Sequence, residues 1–230
     1  MIDGKKVLAI IPARGGSKSV PRKNIKLLGD HPLIAWTINE AKKSAYIDRL
    51  IVSTDDEEIA EVARKYDCEV PFLRPAELAQ DNTPGIDPVL HALMMIPGYD
   101  YVMLLQPTSP LRKVNDIDGC LEKCIHEKAN SIVSVSLVDK SPFWMYSMTE
   151  RSLLEPVMAH KTPYTRRQDI PTIYSLNGAV YVAQSEWLQS TQTFLTQETI
   201  GFIMPKERSV DVDTPLDFLI VESLLMRELF

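Results

Sequence analysis

The 230-residue sequence predicts an α/β fold, in which helices cross over between the strands of one mostly parallel sheet. Two observations carry that prediction. Short apolar runs rich in Val, Ile and Leu alternate with longer amphipathic stretches, and a polar loop with paired glycines separates the first run from the first helical pattern. Apolar residues make up 45% of the chain, enough to bury a substantial core in a single domain spanning 1–230. No repeat, low-complexity tract or linker divides it.

Lys6 to Ile11 reads as a buried strand, followed by a polar loop from Arg14 to about His31. Ile34, Ile38, Ala41 and Ala45 then recur at helical spacing. Arg49 to Ser53 is the second strand; Asp55 or Asp56 caps a helix whose apolar face is Ile59, Val62, Ala63 and Tyr66. A short strand is expected near Glu69 to Phe72, a helix around Ile86 to Met95 and a strand from Tyr101 to Leu105. A helix from Val114 to Glu127 and a strand from Ser131 to Val138 follow. Between Asp139 and Leu176 the rhythm breaks: Pro142, Pro156, Pro163 and Pro171 stand among Phe143, Trp144, Tyr146, Tyr164 and Tyr174. That span is too long for an ordinary connection, so 139–176 is read as an inserted lid, an interface or both. Strands at Ala179 to Val182 and Ile200 to Met204, and a helix from about Pro215 to Arg227, complete the chain.

Composition excludes several classes. A formal charge of −6 argues against a nucleic-acid-binding face, which needs a broad basic surface, and leaves any anionic ligand dependent on a local basic site. The first apolar run, Val7 to Ile11, is too short for a signal-peptide core or a membrane span, so no membrane partner and a cytoplasmic location are expected. Cys68, Cys120 and Cys124 form no CxxC pair and are read as reduced core residues. His31, His91, His126 and His160 lack metal-binding spacing.

The chemistry is concentrated in a few stretches. Arg14, Lys18, Arg22, Lys23 and Lys26 fall within 13 residues that contain no acid, beside Gly15, Gly16 and the Ser17 hydroxyl. Set at the end of the first strand, this loop suits a triphosphate, because such ligands sit at strand ends in open α/β sheets and glycines let backbone approach them. Its spacing matches neither GxxxxGK[ST] nor GxGxxG. Far along the chain, Ser209-Val-Asp-Val-Asp-Thr-Pro-Leu-Asp217 supplies acids. Residues two apart in extended chain point the same way, so Asp211 and Asp213 can share one Mg²⁺. Asp213 or Thr214 can alternatively cap the last helix, and Asp217 can be a first-turn acid. Leu104 to Arg112, LLQPTSPLR, holds polar side chains at a strand end between prolines, and Asn177-Gly178-Ala179 reads either as a turn or as part of the site. Two rival readings share these residues: a glycosyltransferase using Asp211-Val-Asp213 as a DxD motif, and a non-catalytic protein that binds a nucleotide or sugar nucleotide.

In their order along the chain, IPARGGSKxxPRKN, STDDEEIAEVA, RPAELAQD, LLQPTSPLR, RQDIP, NGAVYV and SVDVDTPLD resemble the acylneuraminate cytidylyltransferases, which make CMP-sialic acid and its bacterial relatives CMP-legionaminate and CMP-pseudaminate. The resemblance runs nearly end to end. It implies a three-layer α/β/α nucleotidyltransferase fold, Rossmann-like, with the 139–176 segment reaching into a partner subunit of a homodimer with shared sites. It implies CTP and a nonulosonic acid as substrates: Arg14, Ser17, Lys18 and Lys23 hold the triphosphate, Asn24 and Arg74 lie near the nucleoside, and Gln106, Arg167, Asn177 and Tyr181 face the sugar. Asp211 and Asp213 hold magnesium in that reading. Ser19 stands where many members have glycine, Trp144 where sialate-activating members carry a lysine, and Ser175 where some carry an arginine. Without those two cations a legionaminate-like sugar is favoured over N-acetylneuraminate. Arg167 then carries more of the sugar carboxylate recognition, as a bidentate pair.

Overall fold

The computed structural model describes residues 1–158, 164 and 166–228. Strand β1 (Val7–Pro12) is followed by a short hairpin, β2 (Leu27–Leu28) and β3 (His31–Pro32), and by helix α1 (Leu33–Ala41). Then come β4 (Arg49–Ser53), α2 (Glu57–Lys65), α3 (Asp87–Met95), β5 (Tyr101–Leu105), α4 (Val114–His126) and β6 (Ser131–Leu137). A two-stranded hairpin, β7 (Tyr146–Met148) and β8 (Leu154–Pro156), occupies the insertion, and β9 (Tyr174–Gln184), α5 (Ser185–Thr191), β10 (Ile200–Ile203) and α6 (Pro215–Glu228) close the chain. The main sheet has the order β10-β6-β9-β5-β1-β4. Only β9 opposes the other five strands, pairing antiparallel with β5 and β6.

Alternation along β1 builds the three layers. Val7, Ala9 and Ile11 pack with Ile34 and Ile38 of α1, Ile59 of α2 and Ile117 and Leu121 of α4. Leu8 and Ile10 point to the opposite face, where Val89 and Leu93 of α3 and Leu188 of α5 cover them. A strand covered on both sides must be apolar at every position, which is why β1 and β5 read as uninterrupted hydrophobic runs. Cys120 and Cys124 belong to the first of these cores, and burial pushes all three thiols up.

Several expected boundaries move for local reasons. Helix α1 stops at Ala41, short of Ala45, because the Ser44 hydroxyl accepts the Tyr46 and Ile47 backbone N–H groups and draws the chain into a turn. Of the two cap candidates before α2, Asp56 accepts the Ile59 N–H at 3.0 Å. No strand forms at Glu69 to Phe72: the segment touches β4 through isolated bridges at Glu69 and Leu73, with Pro71, which has no N–H to donate, between them. The strand expected at Ala179 to Val182 is eleven residues long, so Tyr174 to Leu176, assigned above to the insertion, are sheet. His160 and Pro163 lie outside the described residues. Among the described residues no helix is long and apolar enough to cross a membrane.

Candidate active site

Because β1, β4 and β5 run parallel, the loops that leave them open at one edge of the sheet, and a cavity of about 670 Å³ lies there. Its walls include Arg14, Ser17, Lys18, Lys23 and Asn24 from the first loop and Arg74 from the segment beside β4. Gln106 beyond β5, Tyr181 of β9 and Asp213 complete it.

The first loop is shaped by what it passes. Ala13 N–H donates to Ser53 O at 2.9 Å, extending the β1–β4 pairing, and Gly15 N–H then donates to Asp55 Oδ1 at 3.1 Å. A Cβ on Gly15 would lie 2.6 Å from Asp56 Oδ2, so only glycine fits beneath the cap of α2. Asn24 Nδ2 donates to Arg14 O at 3.0 Å and closes the loop on itself. Arg22, at φ 55°, turns its guanidinium to Asp56 and Glu58, and Lys26 Nζ sits 4.8 Å over the Phe218 ring. Of the five loop cations, Arg14, Lys18 and Lys23 therefore face the cavity, and the other two serve the fold.

These three cations are held by acids in this state. Arg14 Nη2 lies 3.0 Å and Lys18 Nζ 2.6 Å from the Asp81 carboxylate, while Arg14 Nη1 donates to Gln80 O at 2.8 Å. Lys23 Nζ lies 2.9 Å from Asp213 Oδ1. Lys18 and Arg14 hold the Asp81 carboxyl below its ordinary range. Asp81 thus occupies the cations as a phosphate would. A triphosphate in this cavity would displace it, so, with CTP as the nucleotide that the resemblance implies, Asp81→Asn is expected to lower the KM for CTP by about two- to fivefold, the size of exposed ion-pair effects. Initial-rate kinetics check this; an unchanged KM would show that the pairs do not compete with nucleotide.

Arg74 is buried, with Nη2 3.5 Å from Asp55 Oδ1 and its Nε without a partner; burial pulls its guanidinium down, and Asp55 opposes that. Such a buried cation with an unfilled donor on a cavity wall is suited to an acceptor brought by a ligand.

The late acids are arranged by Val212. Its side chain is buried among Leu111, Phe218 and Val221, and its N–H donates to Thr108 O at 2.8 Å, which leaves the flanking Asp211 and Asp213 to turn the other way. Asp211 is half-buried and its Oδ1 has no hydrogen-bond partner. Burial raises its carboxyl, a hydrogen bond with Thr108 opposes this, and the neighbouring Asp213 adds to it. Asp217 is absorbed locally: its Oδ2 accepts the Thr214 N–H at 2.6 Å while Thr214 Oγ1 accepts the Asp217 N–H at 3.4 Å, a capping box at the start of α6. Thr214, not Asp213, is therefore the cap. An orphaned buried carboxylate oxygen beside a second, exposed carboxylate is a donor pair that fits a hard divalent cation. No group of three or more acidic, His or Cys side chains with metal-binding proximity occurs among the described residues. The remaining ligands would come from water and substrate oxygens, as is usual for Mg²⁺.

On the expected sugar side, Tyr181 packs on Phe194 at 5.4 Å, and burial raises its phenol. Gly178, at φ +72°, lies behind Gln106, where a Cβ would come within 3.4 Å of Gln106 Oε1. Asn177, expected to face the sugar, is instead buried and engaged within the sheet, and neither it nor Asp211 appears on the cavity wall. Asn177 Oδ1 accepts Ser134 Oγ at 2.6 Å and Ala179 N–H at 3.2 Å, and its Nδ2 donates to Ser209 Oγ at 2.9 Å. Asn177 thus ties β9 and β6 to the segment that leads into Asp211. The Arg167 side chain lies outside the described residues. Trp144 donates Nε1–H to Tyr164 O at 2.8 Å, and Ser175 pairs with Ser136 in the sheet. Sequence reasoning singled out neither Asp81 nor Thr108, which line the cavity, nor the burial of Arg112. Asp81 and Thr108 lie in stretches noted above, RPAELAQD and LLQPTSPLR, which do not by themselves say which side chain enters the cavity, and a basic residue in LLQPTSPLR gives no sign of complete burial.

Comparison with known proteins follows the same outline. The family model described as cytidylyltransferase matches residues 8–226. The CMP-N,N'-diacetyllegionaminic acid synthase of Legionella pneumophila is 37% identical over 227 residues, covering 96% of each chain. An N-acylneuraminate cytidylyltransferase of Escherichia coli is 35% identical over 93% of this chain, which spans 50% of that longer protein. Among solved structures, CMP:2-keto-3-deoxy-manno-octonic acid synthetase complexed with CTP superposes with a TM-score of 0.73 at 18% identity, covering 97% of this chain and 99% of that one, a likeness of fold. With a basic first loop and Asp213 at one cavity on this fold, the chain belongs to the cytidylyltransferase family.

Proposed function

We propose that the chain transfers CMP from CTP to the anomeric hydroxyl of a nonulosonic acid, releasing pyrophosphate, with a legionaminate-type sugar favoured over N-acetylneuraminate. The observation that carries this reading is the meeting of the first loop with a late carboxylate, with Lys23 Nζ 2.9 Å from Asp213 on the wall of one cavity that Arg14 and Lys18 also line. The 37% identity to a legionaminate-activating relative supports the sugar class, as does Trp144 in place of a lysine.

In this reaction the sugar oxygen attacks the α-phosphorus, the new P–O bond forms in line with the bond to the bridging oxygen, and that bond breaks as pyrophosphate leaves. Arg14, Lys18 and Lys23 bind the β- and γ-phosphates and take up the charge that grows on the leaving group. Arg74 and Asn24 hold the nucleoside end; Gln106, Tyr181 and Arg167 orient the sugar so that its hydroxyl approaches productively. Asp211 and Asp213 would hold Mg²⁺, which supplies Lewis-acid neutralisation of phosphate charge when bound.

The hairpin of β7 and β8 exposes Tyr146, Met148 and Leu154, with Trp144 and Met145 beside it, an apolar face of the kind that a second copy of this chain covers. A homodimer with shared sites, working in the cytoplasm, belongs with this reading. The double substitution Met148→Asp, Leu154→Asp is expected to convert a dimer to a monomer in sedimentation equilibrium. A wild-type monomer at micromolar concentration would contradict it.

Pyrophosphate release, measured with CTP, Mg²⁺ and a panel of sialic, legionaminic, pseudaminic and Kdo acids, tests the activity. Release is expected with a nonulosonic acid, fastest with a legionaminic acid. Thermal stabilisation by ligands without release from any sugar would point instead to a binding protein, and turnover of a sugar nucleotide without CTP to a glycosyltransferase.

A further inference from the structure

Arg112 heads the fully buried side chains by volume, with 1% of its surface exposed. A buried cation persists when hydrogen bonds satisfy it, and burial here pulls the guanidinium down to about 10. Asp116 and Glu40 oppose that shift through charge alone: its hydrogen-bond partners are not carboxylates, and its Nε has none. Nη1 donates to Gln106 O at 3.2 Å and to Ala179 O at 2.6 Å, and Nη2 donates to Thr37 Oγ1 at 2.7 Å. The Thr37 hydroxyl itself lies 3.4 Å from Gln106 O, so two side chains converge on one carbonyl. Gln106 is the first residue beyond β5, and Ala179 follows the positive-φ Gly178 that backs the Gln106 amide. Here, too, the pairing of β9 with β6 is irregular: Val133 faces Tyr181, but Val135 faces Leu176. On its other side β9 pairs regularly with β5 as far as Leu105↔Val180, so Gln106 and Ala179 lie just past the last ladder pair, and Arg112 joins their carbonyls there.

We propose that Arg112 is a positioning residue for the acceptor side of the cavity, clamping the Gln106 and Ala179 carbonyls together so that Gln106 meets the sugar in one arrangement. The proposal rests on the sugar-acid reaction proposed above. Arg14, Lys18 and Lys23 are held by Asp81, Gln80 O and Asp213, and none of the hydrogen bonds of Arg112 goes to them or to those partners. The clamp therefore separates the two substrates in its effects.

The test compares Arg112→Met, Arg112→Lys and Thr37→Val with wild type, by initial-rate kinetics and by amide hydrogen exchange. In Arg112→Met the KM for the sugar acid is expected to rise by about tenfold or more, with the KM for CTP within about twofold. Thr37→Val is expected to move the same constant by a smaller factor, and Arg112→Lys to recover part of the loss. Exchange should accelerate at Thr108, Ser109 and Gly178 to Tyr181 and stay unchanged at Gly15 to Ser19. Equal changes in both KM values, exchange rising across the whole sheet, or no change in folded variants would overturn the clamp. If Arg112→Met does not fold, the other two variants decide the outcome by the same criteria. A wild type inactive with every sugar acid, together with local acceleration of exchange in the variants, would remove the proposed reaction and leave the clamp standing.

Discussion

Asp213→Asn is expected to reduce kcat by roughly a hundred- to a thousandfold, the loss typical when one charge-stabilising group is removed from a transition state. The fold should not notice. Asp213 is 67% exposed, makes its ion pair with Lys23 from the surface, and leaves the capping of α6 to Thr214 and Asp217. Asparagine retains the size and one oxygen, so what disappears is the negative charge that, with Asp211, forms the proposed cation site. A melting temperature within a few degrees of wild type, together with the loss of turnover, separates this from unfolding. Magnesium should also be needed at higher concentration. Pyrophosphate release within threefold of wild type would remove Asp213 from the machinery.

Lys23→Ala is the second large effect: kcat/KM for CTP should fall by about a hundredfold. Lys23 is 12% exposed and touches Asp213, so it is the point at which the first loop meets the late acids. Losing it takes one cation from the leaving phosphates and leaves the acid couple without its only ion-pair partner among the described residues. Arg22→Ala provides the contrast. Arg22 is its neighbour in sequence and carries the same charge, but it points to Asp56 and Glu58. Its removal should cost stability through the cap of α2 and change the KM for CTP by less than about twofold. Similar kinetic losses in both variants would mean that the loop acts through bulk charge alone.

That contrast marks where the sequence stops being legible. A cluster of five cations in an acidic chain is visible as an electrostatic feature, but the direction of each depends on the partner that folding brings near. Asp56 and the Phe218 ring, which take Arg22 and Lys26, are remote in sequence. Asp211 and Asp213 were readable because alternation in extended chain is a local rule, and Val212 obeys it by entering the core. Asn177 was not. An amide within a strand can face a cavity or fill a hydrogen-bond network, and only the position of Ser134 and Ser209 decides.

The fold followed the same division. Strands β4 and β5 were placed to the residue, because each is a short apolar run preceded by an aspartate and followed by a polar residue. Helix α5 was missed: it starts at Ser185, directly after Gln184 ends β9, with neither a loop nor a clear period over its seven residues. The length of β9 was underestimated because Asn177 and Gly178 look like a turn, whereas in the sheet they form an irregularity inside one strand. Arg112 shows the limit most clearly: its burial depends on Thr37 and Ala179, each more than sixty residues away.

The most direct test is a crystal structure of the protein with Mg²⁺ and a non-hydrolysable CTP analogue. The triphosphate is expected against Arg14, Lys18 and Lys23, with Asp81 displaced and electron density for a cation touching both Asp211 and Asp213. Nucleotide bound with its phosphates away from the first loop, or a cation held by other residues, would contradict the account.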